Sequence, residues 1–313
     1  MKFSFTPDQY AVRDAFRQLL DRVCTPEMVR EPHVPDLWKR VGEMGVLGVR
    51  RELGEVDLVL LLEEAGRALL PGPFLATAAV GVPALAEAGN EQWLEPVSSG
   101  DAVLALGLQG EPVAFADVAD VLLLGADGAL HAVPRDRVRL EPVESFSRAR
   151  PLFRVLWEPA DSERLDVRIE ESLERAAFAA AAEAVGVAAR LIDMAAEYAR
   201  QREQFGRPIG SFQAVKHLLA NALVKLEFAR PAVYAAAWSL ATGAPDRGGA
   251  VSLAKALASD AAMLAARNSL QVHGAIGYTE EHHLHLWLKA AWALSLAYGD
   301  SARHRMRVSA ANP

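Results

Sequence analysis

The chain has 313 residues, 51% of them hydrophobic, and its 33 Lys and Arg against 40 Asp and Glu give a formal charge of −7. That length and apolar content suffice for a large core divided into two or three lobes. The acidic balance excludes broad nucleic-acid binding, which needs a basic surface to neutralise phosphates. Cys24 is the only cysteine, which excludes an intramolecular disulfide and a cysteine-built metal cage and fits a reducing cytoplasm.

The start of the chain, Met1-Lys2-Phe3-Ser4-Phe5-Thr6-Pro7-Asp8, has no apolar signal-peptide core. The most apolar runs, Val56 to Leu62 and Ala176 to Ala182, are interrupted or bounded by Asp57, Glu63, Glu64 and Glu183. A bilayer span takes about 20 consecutive apolar residues, so the expectation is a soluble chain with no membrane partner.

Residues 1–98 read as a helical domain. Thr6, Pro7 and Gln9 form an N-cap, a proline at the first helical position and a capping-box partner, ahead of Val12, Phe16, Leu19 and Val23 at helical spacing. A second helix is expected from Asp36 toward Met44, and a third over Val56 to Leu70, stopped by Pro71-Gly72-Pro73. Residues 99–168 change to short apolar runs. Val103–Leu108, Val121–Leu124, Val138–Leu140 and Leu152–Trp157 read as strands, with Gly125-Ala126-Asp127-Gly128 as a turn. A β-layer this small needs helical neighbours to cover it.

Residues 169–313 read as a four-helix bundle. Phe178, Val185, Ile192 and Tyr198 mark one stripe. Phe212, Val215, Leu219, Ala222, Leu226, Ala229, Val233, Ala236 and Leu240 mark a second, stepping by three and four as antiparallel helix packing requires. Pro231 is expected to kink or break that helix. A loop over Gly243–Gly249, a helix over Ala250–Gln271 and a fourth helix from near Glu280 complete the pattern.

Two motifs punctuate this region. The first, Arg202-Glu203-Gln204-Phe205-Gly206-Arg207-Pro208-Ile209-Gly210-Ser211-Phe212-Gln213, sits between two long amphipathic helices. A guanidinium fork suits phosphate oxygens and an aromatic face suits a planar ring. The second, Gln271-Val272-His273-Gly274-Ala275-Ile276-Gly277-Tyr278, follows a long helix, and its glycines let backbone approach a ligand closely. His273, His282, His283 and His285 invite a metal reading, but His282 and His285 lack a third ligand nearby, and they read as surface or interface residues.

With their spacing, these motifs resemble the flavin-binding half of the acyl-CoA dehydrogenase family. The order helices, small β-layer, four-helix bundle is that family's. The resemblance is specific over about 170–300, weaker over 1–95 and poor in the β-layer, and it implies a chain trimmed in its first two lobes. It implies that Arg202, Phe205, Gln213, Gln271 and Gly274 hold the adenosine and pyrophosphate end of an FAD shared across a subunit interface. Ala275 departs from the family's usual second glycine.

The same resemblance places the family's catalytic glutamate, from a Tyr-Glu-Gly-Thr run, on Tyr298 of Ala297-Tyr298-Gly299-Asp300. A tyrosine near its ordinary pKa of about 10 cannot take a proton near neutrality. An alternative glutamate position falls on Ala176. Of the family's T-E-P-x-x-G-[ST]-D run, which lines flavin and substrate, only Glu111-Pro112 remains. Leu130–Pro134 stands where a later flavin-contacting run belongs.

The expectation is a subunit with no catalytic residue of its own and no metal, paired with a catalytic acyl-CoA dehydrogenase subunit as an α2β2 complex. That complex would desaturate an acyl-CoA, such as a steroid side-chain thioester, and pass electrons to an electron-transfer flavoprotein. The alternatives are a self-sufficient flavoenzyme using a non-standard base such as Asp300, or a helical scaffold without FAD.

Overall fold

The computed structural model describes residues 4–49 and 54–311; Met1–Phe3, part of the amino-terminal reading, and Asn312–Pro313, the end of the bundle reading, lie outside them. The chain divides into two compact units, Met1–Leu61 with Leu70–Ala179, and Leu62–Leu69 with Ala180–Pro313.

The first unit opens with α1 (Pro7–Val23). Its capping box is formed as the sequence predicts, with Thr6 accepting from the Gln9 amide and Gln9 reaching back to the Thr6 amide. Phe16 of α1 is fully buried and stacks on Phe74 at 5.6 Å between centroids. α2 (Pro35–Glu43) buries Trp38 and Val41. α3 (Glu55–Ala68) ends two residues earlier than its apolar run, with Leu69 in a left-handed conformation ahead of the Pro-Gly-Pro stop. A π-type turn (Leu75–Gly81) leads into α4 (Val82–Glu87), and Asn90 caps α5 (Glu91–Ser98) by accepting from the Trp93 amide.

The β-layer is two small sheets. β1 (Leu104–Gly107), β3 (Val121–Ala126), β4 (Ala129–Pro134) and β7 (Glu163–Arg168) form one in the order β1-β3-β4-β7, with β1 and β3 parallel and the other pairs antiparallel. β2 (Val113–Ala114), β6 (Leu152–Leu156) and β5 (Arg139–Val143) form the other. Ala105, Leu122, Leu124 and Val133 of the first sheet pack with Val113, Leu140, Phe153 and Val155 of the second.

Three strands, β2, β4 and β7, were not legible. The turn is also shorter than expected: Gly125 and Ala126 remain in β3, and only Asp127-Gly128 turn, at φ 49° and 75°. Both turn residues left-handed is the type I′ geometry whose twist matches the strands. The π-type turn covers β1, α4 packs on β7, and Asn90 donates to Glu163 at 2.7 Å, supplying the helical cover the β-layer requires. α6 (Ile169–Gln201) leaves this unit carrying Phe178 and Val185 fully buried.

The second unit is a helix bundle. After α6 come a two-stranded hairpin, α7 (Gln213–Ala241), α8 (Arg247–His273), α9 (Leu284–Leu296) and α10 (Ser301–Ala311). α8 is central and packs against α7, α9 and α10. Its face toward them is alanine-rich, with Ala254, Ala258, Ala261 and Ala265 fully buried.

Three details differ from expectation. Pro231 does not interrupt α7. The cost of a helix proline is about 3 kcal/mol, and here burial of Ala229, Val233 and Ala236 on either side offsets it. Arg230, beside it, is also held by Glu63 at 3.0 Å, which in turn accepts from the Tyr234 hydroxyl at 2.8 Å. Second, α8 begins at Arg247, inside the expected loop. Third, the last helical stretch is two helices, α9 and α10, separated at Tyr298-Gly299. Among the described residues, α8 with its continuation to Tyr278 is the one helix long and apolar enough to cross a membrane, and 61% of its apolar window is buried within the protein.

Candidate functional site

The first motif begins where α6 runs out. The Arg202 amide still bonds the Tyr198 carbonyl at 2.8 Å, and the Ile209 amide returns to the Arg202 carbonyl at 2.8 Å. Between them β8 (Glu203–Gln204) pairs with β9 (Arg207–Pro208), leaving Phe205-Gly206 as a two-residue turn with φ 55° and 77°. Glycine accepts that conformation freely, whereas a phenylalanine is strained by about 1–2 kcal/mol. The strained ring is also 91% exposed. Its neighbour in the structure is Phe212, edge-on at 6.1 Å, and the Arg207 guanidinium lies 4.2 Å over the Phe212 ring. Arg202 and Gln213 are exposed, and Gln213 reaches only His217, at 3.5 Å.

The second motif closes α8. Gln271 is exposed on its last turn, and Gly274 ends the helix at φ 62°, ψ −139°, a region open to glycine alone. The structure brings the two motifs together. Ala195 and Ala199 of α6 and Val272 of α8 form one buried cluster against which Tyr198, Ile209, Val215, Leu218 and Leu219 pack. Asn268 donates to the Leu218 carbonyl at 2.7 Å. Tyr198 stacks on His273 at 4.4 Å, and His282 meets His273 edge-on at 4.6 Å.

His273 is buried and hydrogen bonds the Ser269 carbonyl through Nδ1 at 2.7 Å. Burial pushes its pKa below the ordinary histidine range, against the pull of that carbonyl. His282 is lowered too, by burial and by the neighbouring His283. Two neutral imidazoles and a phenol thus brace the glycine break. The sequence reads these histidines as surface or interface residues; His273 is instead buried, because its ring stacks on Tyr198. Among the described residues no group of three His, Cys, Asp or Glu could hold a metal ion.

Tyr298 stands in the turn between α9 and α10 with φ 57°, followed by Gly299 at φ 107°. Asp300 accepts from the Arg303 amide at 2.8 Å and thereby caps α10. Ala176 is fully buried in α6. Neither Tyr298 nor Ala176 brings a carboxylate, and Asp300, two residues beyond Tyr298, is committed to a helix end. Beneath the turn lie Lys255 and His304, both fully buried and both missed in the sequence, where Lys255 reads as one polar residue in an alanine-rich helix. In the β-layer, Glu111 accepts from the Gln109 amide at 2.9 Å, and Leu130–Pro134 is a buried central strand.

A strained exposed aromatic, exposed guanidinium groups and a glycine break on one end of a bundle can bind an anionic ligand with a flat group.

The family profile for "Acyl-CoA dehydrogenase, C-terminal domain" matches residues 167–312, and that for "Acyl-CoA dehydrogenase, N-terminal domain" matches residues 6–101. The acyl-CoA dehydrogenase IpdE2 of Mycobacterium tuberculosis is 33% identical over 299 residues, covering 91% of each chain. This chain belongs to the acyl-CoA dehydrogenase family. A chain of the Tcur3481–Tcur3483 steroid ACAD superposes with TM-score 0.87 at 25% identity over 97% of both chains. A chain of the ChsE4–ChsE5 complex of Mycobacterium tuberculosis superposes with TM-score 0.88 at 24% identity, over 99% of this chain and 98% of that one, which shows the shared fold. Membership in the acyl-CoA dehydrogenase family implies FAD as the cofactor.

Proposed function

We propose that this chain is the non-catalytic subunit of a heteromeric acyl-CoA dehydrogenase, holding the adenosine and pyrophosphate end of an FAD whose ring lies in a catalytic partner. The reading rests on Tyr298, a tyrosine where the family resemblance places the catalytic glutamate, and on the carboxylate of Asp300, which caps α10 instead. In this reading Arg202 faces the pyrophosphate, Phe205 packs against the cofactor, and Gln213, Gln271 and Gly274 complete the cradle. The strain at Phe205 and its exposure fit a ring placed for contact with a ligand rather than for the chain's own core. When bound, the flavin would supply the acceptor for the β-hydride, and the partner would supply the carboxylate for the α-proton.

The proposal includes the three-part division at 1–98, 99–168 and 169–313, an α2β2 assembly, and an electron-transfer flavoprotein as acceptor. A steroid side-chain CoA is the proposed substrate class, supported by the likeness to a chain of a steroid ACAD. The test is a visible spectrum and dehydrogenase assay of the chain alone and co-expressed with its partner. The chain alone should be flavin-poor and inactive, and the complex yellow and active. A yellow, active homo-oligomer would overturn the reading.

A further inference from the structure

The Ala297–Asp300 turn is held from beneath by two side chains of different helices. Lys255 of α8 donates to the Ser295 carbonyl at 3.2 Å, to the Gly299 carbonyl at 2.9 Å and to the Ser259 hydroxyl at 3.1 Å. His304 of α10 lies 3.1 Å from the Tyr298 carbonyl through Nε2. A carbonyl can only accept, so Nε2 carries the proton and the ring is the neutral Nε2–H tautomer. A Cβ on Gly299 would come within 2.9 Å of that Nε2, so the glycine gives His304 access to the turn as well as supplying φ 107°.

A clamp of this kind is costly to build. Removing an ammonium from water is strongly unfavourable unless its protons all find acceptors. Here the acceptors are carbonyls and a hydroxyl, and the acid that acts on Lys255 is Asp300, which caps α10. Arg303 and Arg307 of α10, with Lys255, help to hold His304 neutral, and Asp260 of α8 is bonded to Ser301 and Arg305 of α10. An apolar side chain at 255 would fill the bundle without that penalty, but it would release two carbonyls, one of them in the last turn of α9.

We propose that Lys255 and His304 are positioning residues for position 298. They lock its backbone in the left-handed conformation so that whatever side chain stands there leaves the turn in one fixed direction. On the reading that Tyr298 occupies the vacated base position, the clamp presents the tyrosine as a fixed cover over that position.

The proposal separates local order from global stability, and hydrogen exchange with mass spectrometry reads both on the full-length chain as purified. In Lys255→Met, amides of residues 298–304 should exchange at least tenfold faster, while α7 keeps its protection and the melting temperature is unchanged or higher. His304→Leu should loosen the same segment, and His304→Gln, which retains a donor, should not. In the wild type, protection of 298–304, corrected for the intrinsic pH dependence of exchange, should fall through a midpoint near pH 8, where Lys255 loses its proton and keeps two N–H groups for three acceptors. Lys255→Met should show no such step.

Loss of protection spread through every bundle helix with a lowered melting temperature, or an unaltered turn, would overturn the proposal. If Lys255→Met does not fold, the wild-type pH step and the His304 pair decide it. A yellow, active homo-oligomer would remove the non-catalytic reading and leave the exchange result standing, so the two failures are distinct.

Discussion

Tyr198 and His273 stack with ring centroids 4.4 Å apart and planes inclined by 22°, joining the helix that leads into the first motif to the helix that ends in the second. Two stretches some 70 residues apart thus become one surface. His273→Ala should therefore loosen FAD retention, although His273 is buried and is not itself proposed to touch the cofactor. Flavin content after gel filtration checks this; unchanged occupancy would mean the stack is packing only.

Arg202→Ala tests the proposed pyrophosphate contact. A charge-assisted hydrogen bond contributes roughly 1.5–3 kcal/mol, so FAD affinity in the complex should fall about ten- to a hundredfold. Equilibrium dialysis measures it, and an unchanged Kd would show that Arg202 faces away.

Phe205→Gly should part stability from binding. Relief of left-handed strain is about 1–2 kcal/mol, and the added unfolded-state entropy of glycine takes back about 0.4–1 kcal/mol. The melting temperature of the flavin-free chain should then stay level or rise slightly, while FAD content falls. A large drop in melting temperature would show that the ring serves the fold.

Gly274→Ala meets no neighbouring atom within 4 Å, so any penalty is conformational. That backbone region costs a residue with a Cβ about 1–3 kcal/mol, and the melting temperature should drop by a few degrees. Ala275 one residue later should tolerate Gly without such a loss.

Acid should weaken the second unit through His304. Burial holds its pKa at about 4, below the ordinary 6.5. Between those values the unfolded chain binds more protons than the folded one, so stability falls as the pH drops from 6.5 toward 4 and is complete above 6.5. The share from His304 is about 2 kcal/mol between pH 7 and pH 5. Denaturant midpoints at the two pH values should show it, and His304→Gln should reduce the difference by that amount.

Much of this was legible because it is local chemistry. Thr6, Pro7 and Gln9 announce a helix start through contacts three residues apart, and the three-four stripe of α7 states its own buried face. The motif residues were legible as a set, since glycine, proline and arginine interrupt an otherwise regular pattern. What escaped depends on partners distant in sequence. Nothing near Lys255 says that its ammonium meets carbonyls 40 and 44 residues on. Nothing near Tyr198 names His273 as its stacking partner. Pro231 does not break its helix, because packing along the 29 residues outweighs the local rule. β7 was missed because only Leu165 and Val167 of its six residues are buried among charged neighbours, and β4 because His131 interrupts its apolar run.

The most direct test of the central claim is the number of flavins in the purified complex, from flavin absorbance against mass by light scattering. If this chain holds the adenosine side of FAD and offers no home for the ring, two copies of each subunit should carry two flavins. Four flavins per four chains would contradict the account, because this chain would then be building a complete site of its own.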